Sequence, residues 1–203
     1  MQKIWYKIKS KLLTIFGDIK VFKYPMFLIY SPKGFDIKGE DIEDIINLVD
    51  DNNTYIILRS YNNYLDGFFI PTGESKCTHS GVYSHGRVYH SIAEGVRKDS
   101  IIEFCKADRI VVLKPIKITD KQQKYVYEHA EKSVSKPYDF DFKDKGKGSN
   151  LSYYCHEFTV SCFPKTWDIK RLRTSNKIGI KGPEVFVADS FYLSDHFEVV
   201  YEK

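Results

Sequence analysis

Two β-branched and aromatic runs, His79 to Tyr83 and Arg87 to Ser91, are separated only by the turn-like Ser84-His85-Gly86. So short a connection joins antiparallel neighbours, because a parallel pair needs a crossover of about a dozen residues or more. A sheet with antiparallel strands is therefore the framework to which the rest of the chain must be fitted. Further strand signals lie at Tyr55 to Leu58, at Ile110 to Leu113 ahead of Pro115, near Glu184 to Val187, and at Phe197 to Tyr201. Helical patterns occur at Lys3 to Phe16 and at Asp41 to Val49, where Ile42, Ile45, Ile46 and Val49 form a stripe. A third helix begins at the cap Thr119 and runs to about Ser133. Helices, then strands, then helices and a late strand make an α+β pattern. The expected organisation is one domain, residues 1–203, with 1–50 as an N-terminal helical extension and 51–203 as the core.

A chain of 203 residues can bury a sizeable core on its own. Fifteen Tyr and fourteen Phe argue against disorder. A formal net charge of only +4 calls for no nucleic-acid partner. The Lys-, Ile-, Tyr- and Asn-rich composition fits AT-biased coding, as in a low-GC bacterium or its phage. No run approaches a membrane span, and lysines interrupt the first turns where a signal peptide would carry its apolar region. A reducing cytoplasmic location with free thiols is the resulting expectation for Cys77, Cys105, Cys155 and Cys162. Cys77, His79, His85 and Cys105 match no paired Cys-x-x-Cys spacing, so neither a metal nor another cofactor is expected.

Residues 3–16 place Ile4, Trp5, Ile8, Leu12, Ile15 and Phe16 at helical spacing among Lys3, Lys7, Lys9 and Lys11. The favoured expectation is a terminal helix that buries Trp5, Ile8 and Leu12 against the domain. The other reading is a weak membrane-surface contact through this basic amphipathic helix.

Chemistry concentrates at Cys155, in the run Ser152-Tyr153-Tyr154-Cys155-His156-Glu157-Phe158, and at His79, in Thr78-His79-Ser80-Gly81-Val82-Tyr83. A cysteine opening a helix, with a histidine opening a strand elsewhere, is the layout of a thiol nucleophile and its base. A helix N-terminus and a nearby imidazolium are expected to lower the thiol pKa. Cys162, two helical turns beyond Cys155, reads as a core residue. His85 lies in the turn and reads as solvated, and His156 is expected to point away from the base.

These motifs resemble the permuted branch of the NlpC-like, papain-fold cysteine peptidases and amidases, which includes the YiiX-type proteins. Thr78 to Tyr83 resembles the family strand that begins with the catalytic histidine. Val88-Tyr89-His90-Ser91-Ile92-Ala93-Glu94-Gly95-Val96 resembles the next strand, with its third polar residue and Gly-Val ending. Pro137-Tyr138-Asp139-Phe140 and Tyr153 to Phe158 resemble the elements ahead of and around the nucleophile. The resemblance covers about Tyr55 to Pro164 and leaves the first fifty residues unexplained. It implies a circularly permuted papain-like fold, with an antiparallel sheet packed against the nucleophile helix. It also implies Cys155 as nucleophile, His79 as base and His90 as the orienting third residue, with Glu94 as the alternative. Tyr138, Tyr153 and Tyr154 are candidates to line the cleft or donate to an oxyanion.

The implied activity is thiol-dependent cleavage of an amide in a peptide or acyl-amide substrate, such as a cell-wall peptide or an acylated lysine. Lipid acyl transfer or thioester hydrolysis on the same fold is the first alternative, and a non-catalytic binding or virion-associated module is the second. His156-Glu157 stands where the family commonly has Ser-Glu, and His90 where it often has Glu. The oligomeric state is left open.

Overall fold

The computed structural model describes residues 2–23, 26–31, 33, 35–70, 73–141, 152–175 and 181–203. Helix α1 (Gln2–Gly17) leads into a hairpin of β1 (Ile19–Lys23) and β2 (Met26–Tyr30), then α2 (Gly39–Leu48). Strand β3 (Tyr55–Ser60) and the short α3 (Asp66–Phe69) precede β4 (His79–Ser84), β5 (Arg87–Ile92) and β6 (Gly95–Asp99). Next come α4 (Ile101–Phe104), β7 (Arg109–Pro115), α5 (Asp120–Ser133) and α6 (Cys155–Cys162). The hairpin β8 (Leu172–Ser175) and β9 (Lys181–Val185), α7 (Asp189–Tyr192) and β10 (Phe197–Glu202) complete the described chain.

Six strands form one sheet in the order β10-β7-β3-β4-β5-β6, and every neighbouring pair is antiparallel. The β4–β5 turn is tighter than the sequence suggests. Ser84 pairs with Arg87, so the loop is His85-Gly86 alone. Both residues take positive φ, 51° and 72°, as a two-residue turn matched to strand twist requires. Strand β6 and helix α4 were not foreseen, because Gly95 and a four-residue helix give little periodic signal. The extension 1–50 is not purely helical, since the β1–β2 hairpin separates its two helices. The stretch Asp141 to Asn150, whose Gly- and Lys-rich composition reads as a polar loop, lies beyond Asp141 outside the described residues.

Period-two alternation divides the core between the two faces of the sheet. Ile56, Leu58, Val82, Tyr89, Val111 and Leu113 pack with Val126 and Ala130 of α5 and Phe158 and Cys162 of α6. On the other face, Ile57, Tyr83, Val88, Ile110 and Val112 pack with Ile45 of α2 and Phe104 of α4. Helix α5 starts where its cap predicts. Gln122 N–H donates to Thr119 Oγ1 at 3.3 Å, and Thr119 N–H donates to Gln122 Oε1 at 2.8 Å.

Helix α1 departs from expectation. Trp5 and Leu12 are 63% and 61% exposed, and Ile4, Ile8 and Ile15 are exposed as well. The face turned inward is the polar one. Tyr6 Oη donates to Ala93 O at 3.2 Å and accepts from Tyr138 N–H at 2.9 Å. Thr14 Oγ1 donates to Glu94 Oε1 at 3.3 Å, and Ser10 and Gly17 are buried. Specific hydrogen bonds to β5–β6 fix the helix, so its apolar stripe is left facing outward.

Candidate active site

Alternation along β4 sends neighbouring side chains to opposite faces. Ser80 faces α6, where its Oγ lies 2.9 Å from His156 Nδ1 and 2.8 Å from Thr159 Oγ1. His156 is therefore not a solvent-facing ring. It is buried between helix and strand, and burial pushes its pKa down to about 4. His79 turns the other way, against Phe104 at 5.7 Å between ring centroids.

Cys155 opens α6. Its preceding residue, Tyr154, supplies no side-chain cap, which leaves the first N–H groups of the helix directed at the sulfur. The backbone N–H groups of His156, Ser80 and Cys155 itself favour the thiolate. The sulfur thus lies beside the peptide that follows His79. Burial nevertheless dominates and pushes the thiol up to about 12, so the depression expected from the helix terminus is outweighed. Cys155 retains 8% exposure, whereas Cys77, Cys105 and Cys162 are fully buried. Cys162 sits in the core beneath α6.

His79 Nε2 lies 3.0 Å from His90 Nδ1, and His90 Nε2 lies 3.0 Å from Asp99 Oδ2. The charge states fix the direction of this series. Burial opposes ionisation of Asp99, but hydrogen bonds from His90 and Arg97 prevail and hold its carboxyl at about 2. Burial brings the His90 pKa down to about 4, so at neutral pH that ring is uncharged. A carboxylate only accepts, so His90 carries its proton on Nε2 and presents a lone pair at Nδ1. His79 must then donate from Nε2, which leaves the basic lone pair of its ring on Nδ1. His79 is itself held well below the usual histidine range by burial, and then by the Arg59 charge. At neutral pH the Cys155 thiol and the His79 imidazole are each uncharged.

Asp99 and Arg59 escaped the sequence reading. Asp99 belongs to β6, whose register places Arg97 opposite His90. Arg59 pairs with His79 across β3 and β4. Its guanidinium lies 4.2 Å from the Phe104 ring centre and donates to Phe104 O at 2.8 Å. The signal for Arg59 was a charge directly after the apolar run Tyr55 to Leu58. The signal for Asp99 was faint, one acid among Arg97, Lys98 and Ser100.

The remaining candidates are dispersed. Glu94 is exposed and bonded to Thr14, away from the His79 ring. Tyr138 stands near Cys155, and its phenol is held well above its usual range by burial, with the thiol adding to the effect. Its placement follows from two backbone ties. Tyr153 N–H donates to Pro137 O at 3.1 Å and Asp139 N–H to Tyr153 O at 3.0 Å. A third tie lies upstream, where Gly95, at φ +117°, lets Lys136 O approach. A Cβ there would meet that oxygen at 2.5 Å, and Val96 N–H donates to it at 2.8 Å. Tyr153 itself turns into the main core, and Tyr154 Oη accepts from Phe186 N–H at 2.9 Å.

The sequence model of the permuted papain-like amidases, the YaeF/YiiX or C92 family, matches residues 53–201. The chain belongs to this family. It is accordingly a cysteine-type papain-like amidase or peptidase, and the large antiparallel sheet is the family's mixed α/β fold. The crystal structure of the metalloprotein YiiX from Escherichia coli O157:H7 is similar in fold, with a TM-score of 0.57 and 17% identity. That likeness covers 74% of this chain and 97% of YiiX. No curated protein matches the chain. Among the described residues, no group of three or more His, Cys, Asp or Glu side chains is placed to hold a metal ion. Among the same residues, no helix is long and apolar enough to cross a membrane.

Proposed function

We propose that the chain hydrolyses an amide bond in a peptide or an acylated amine, with Cys155 as nucleophile, His79 as base and His90 as the group that orients His79. The observation that carries this reading is the bonded series His79–His90–Asp99, which leaves the His79 lone pair on Nδ1. In the first half-reaction the Cys155 proton passes to His79 as the sulfur bonds to the carbonyl carbon. The carbonyl oxygen becomes an oxyanion, which the Cys155 N–H and the α6 N-terminal field stabilise. Collapse breaks the C–N bond, and His79 returns its proton to the leaving amine. Water, deprotonated by His79, then attacks the thioester, releases the acid and restores the thiol.

His79 is neutral at rest, so it works as a general base rather than as one half of a preformed ion pair. Tyr138, whose phenol feels the Cys155 thiol, is the candidate to line the acyl side of the site. A second reading, acyl transfer or thioester hydrolysis on a lipid by the same residues, is favoured by the outward apolar face of α1.

The test is a panel of cell-wall peptides, Nε-acyl-lysine peptides and lipid esters, incubated with protein and analysed by mass spectrometry. Cleavage of an amide by wild type, and its loss in Cys155→Ala and His79→Ala, is expected. Turnover of lipid esters alone would move the assignment to the second reading. Cleavage that survives both substitutions would overturn it.

A further inference from the structure

All the formal net charge of the chain resides in one helix. Residues 1–17 contain four lysines and no acid, and the whole chain carries +4, so basic and acidic residues balance over the rest. On a 3.6-residue helix, Ile4, Trp5, Ile8, Leu12 and Ile15 fall within about a 100° arc. Lys9 flanks that arc on one side, and Lys7 and Lys11 on the other. Each of these apolar and lysine residues is exposed. The opposite side holds Tyr6, Ser10 and Thr14, whose bonds to Ala93, Tyr138 and Glu94 tie the helix to the domain. The exposed apolar surface continues onto the next element. Tyr30 of β2 is exposed and shares a recess of about 890 Å³ with Thr14 and Ile15, and Leu28 and Ile29 beside it are exposed as well.

We propose that α1 is a peripheral membrane anchor that lays its apolar face into the surface of an anionic phospholipid bilayer. Charge complementarity selects this occupant. An apolar stripe bordered by lysines fits acyl chains below a layer of negative headgroups, and the amphipathic geometry is that of an in-plane interfacial helix. A second copy of the chain is disfavoured, because stripe-to-stripe contact would bring two sets of lysines together. The bonds of Tyr6 to Ala93 and Tyr138 couple the anchor to the β5–β6 connection and to the segment beside Cys155. A docked helix would therefore hold the Tyr138 segment beside Cys155 at the lipid surface.

The test is co-sedimentation of the full chain with vesicles of phosphatidylcholine, with and without phosphatidylglycerol, at low and high salt. Binding to the anionic vesicles at least tenfold above that to neutral ones is expected, falling at high salt as the lysine attraction is screened. The triple variant Trp5→Ser/Ile8→Ser/Leu12→Ser and the triple variant Lys7→Glu/Lys9→Glu/Lys11→Glu should each lose binding. All six positions are exposed, so circular dichroism and melting should remain those of wild type. Cys155→Ala should bind as wild type does, which keeps this result separate from catalysis. Absence of vesicle binding, equal binding to neutral vesicles, or a dimer in sedimentation equilibrium that the serine variant dissolves would each overturn the proposal.

Discussion

His90 Nε2 stands 3.0 Å from Asp99 Oδ2, and that contact determines which nitrogen of His79 holds its proton. Replacing Asp99 by Asn removes the obligatory acceptor, because an amide can also donate. His90 is then free to place its proton on Nδ1 and push the His79 proton onto the wrong nitrogen. Asp99→Asn is expected to lower kcat/KM roughly ten- to a hundredfold, less than Cys155→Ala or His79→Ala, since Asp99 acts through two rings. Steady-state kinetics on a cleaved amide substrate, with thermal melting as a folding control, checks this. Unchanged kinetics would mean that the His79 tautomer is set elsewhere.

Arg59 supplies a positive charge that lowers the His79 pKa and opposes the rise of Cys155. Arg59→Met removes both influences. The acid limb of kcat/KM should then move toward higher pH, because the imidazole gains protons more readily. Alkylation of the thiol should require a more alkaline medium. A pH–rate profile of the variant beside wild type reads both shifts, and coincident profiles would place the Arg59 charge too far from the site to act.

Acid should destabilise the fold before its carboxylates titrate. His90 and His156 have folded pKa values lowered from 6.5 to about 4, and His79 is lowered as well, each chiefly by burial. Between pH 6.5 and about 4 the unfolded chain binds protons at these rings and the folded chain does not, so stability falls as pH falls. The loss is bounded by about 1.4 kcal/mol per pH unit for each ring. Asp99 adds its own loss only lower, as pH drops from 3.8 toward about 2. Urea midpoints measured from pH 7 to pH 4 should decline steeply, and less so in His156→Gln. A flat midpoint over that range would contradict burial of neutral rings.

Local pattern carried the sheet a long way. The close spacing of His79–Tyr83 and Arg87–Ser91 announced an antiparallel hairpin, and the Thr119 cap announced α5. His90 was indicated by the family resemblance, with Glu94 as the alternative, and the β4–β5 hairpin brings His90 beside His79. Asp99 and Arg59 were not, since each meets the site through strand register, which periodicity does not encode. The direction of α1 was illegible for a different reason. A hydrophobic stripe tells that a helix is amphipathic, but Tyr6, Ser10 and Thr14 decided by hydrogen bonding which side meets the domain. The thiol shift runs opposite to the sequence expectation because a helix terminus is visible in sequence and the burial of Cys155 is not.

Thiol labelling distinguishes Cys155, proposed as nucleophile with His79 as its base, from the other three cysteines. Iodoacetamide treatment followed by peptide mapping should place the first adduct on Cys155, since the other three cysteines are fully buried. The rate should climb through the alkaline range without a plateau near neutrality, as a thiol at about 12 requires. His79→Ala should slow neutral-pH labelling at least about tenfold by removing the general base. Adducts spread over Cys77, Cys105 and Cys162, or a His79→Ala rate equal to wild type, would rule out Cys155 and His79 as nucleophile and base.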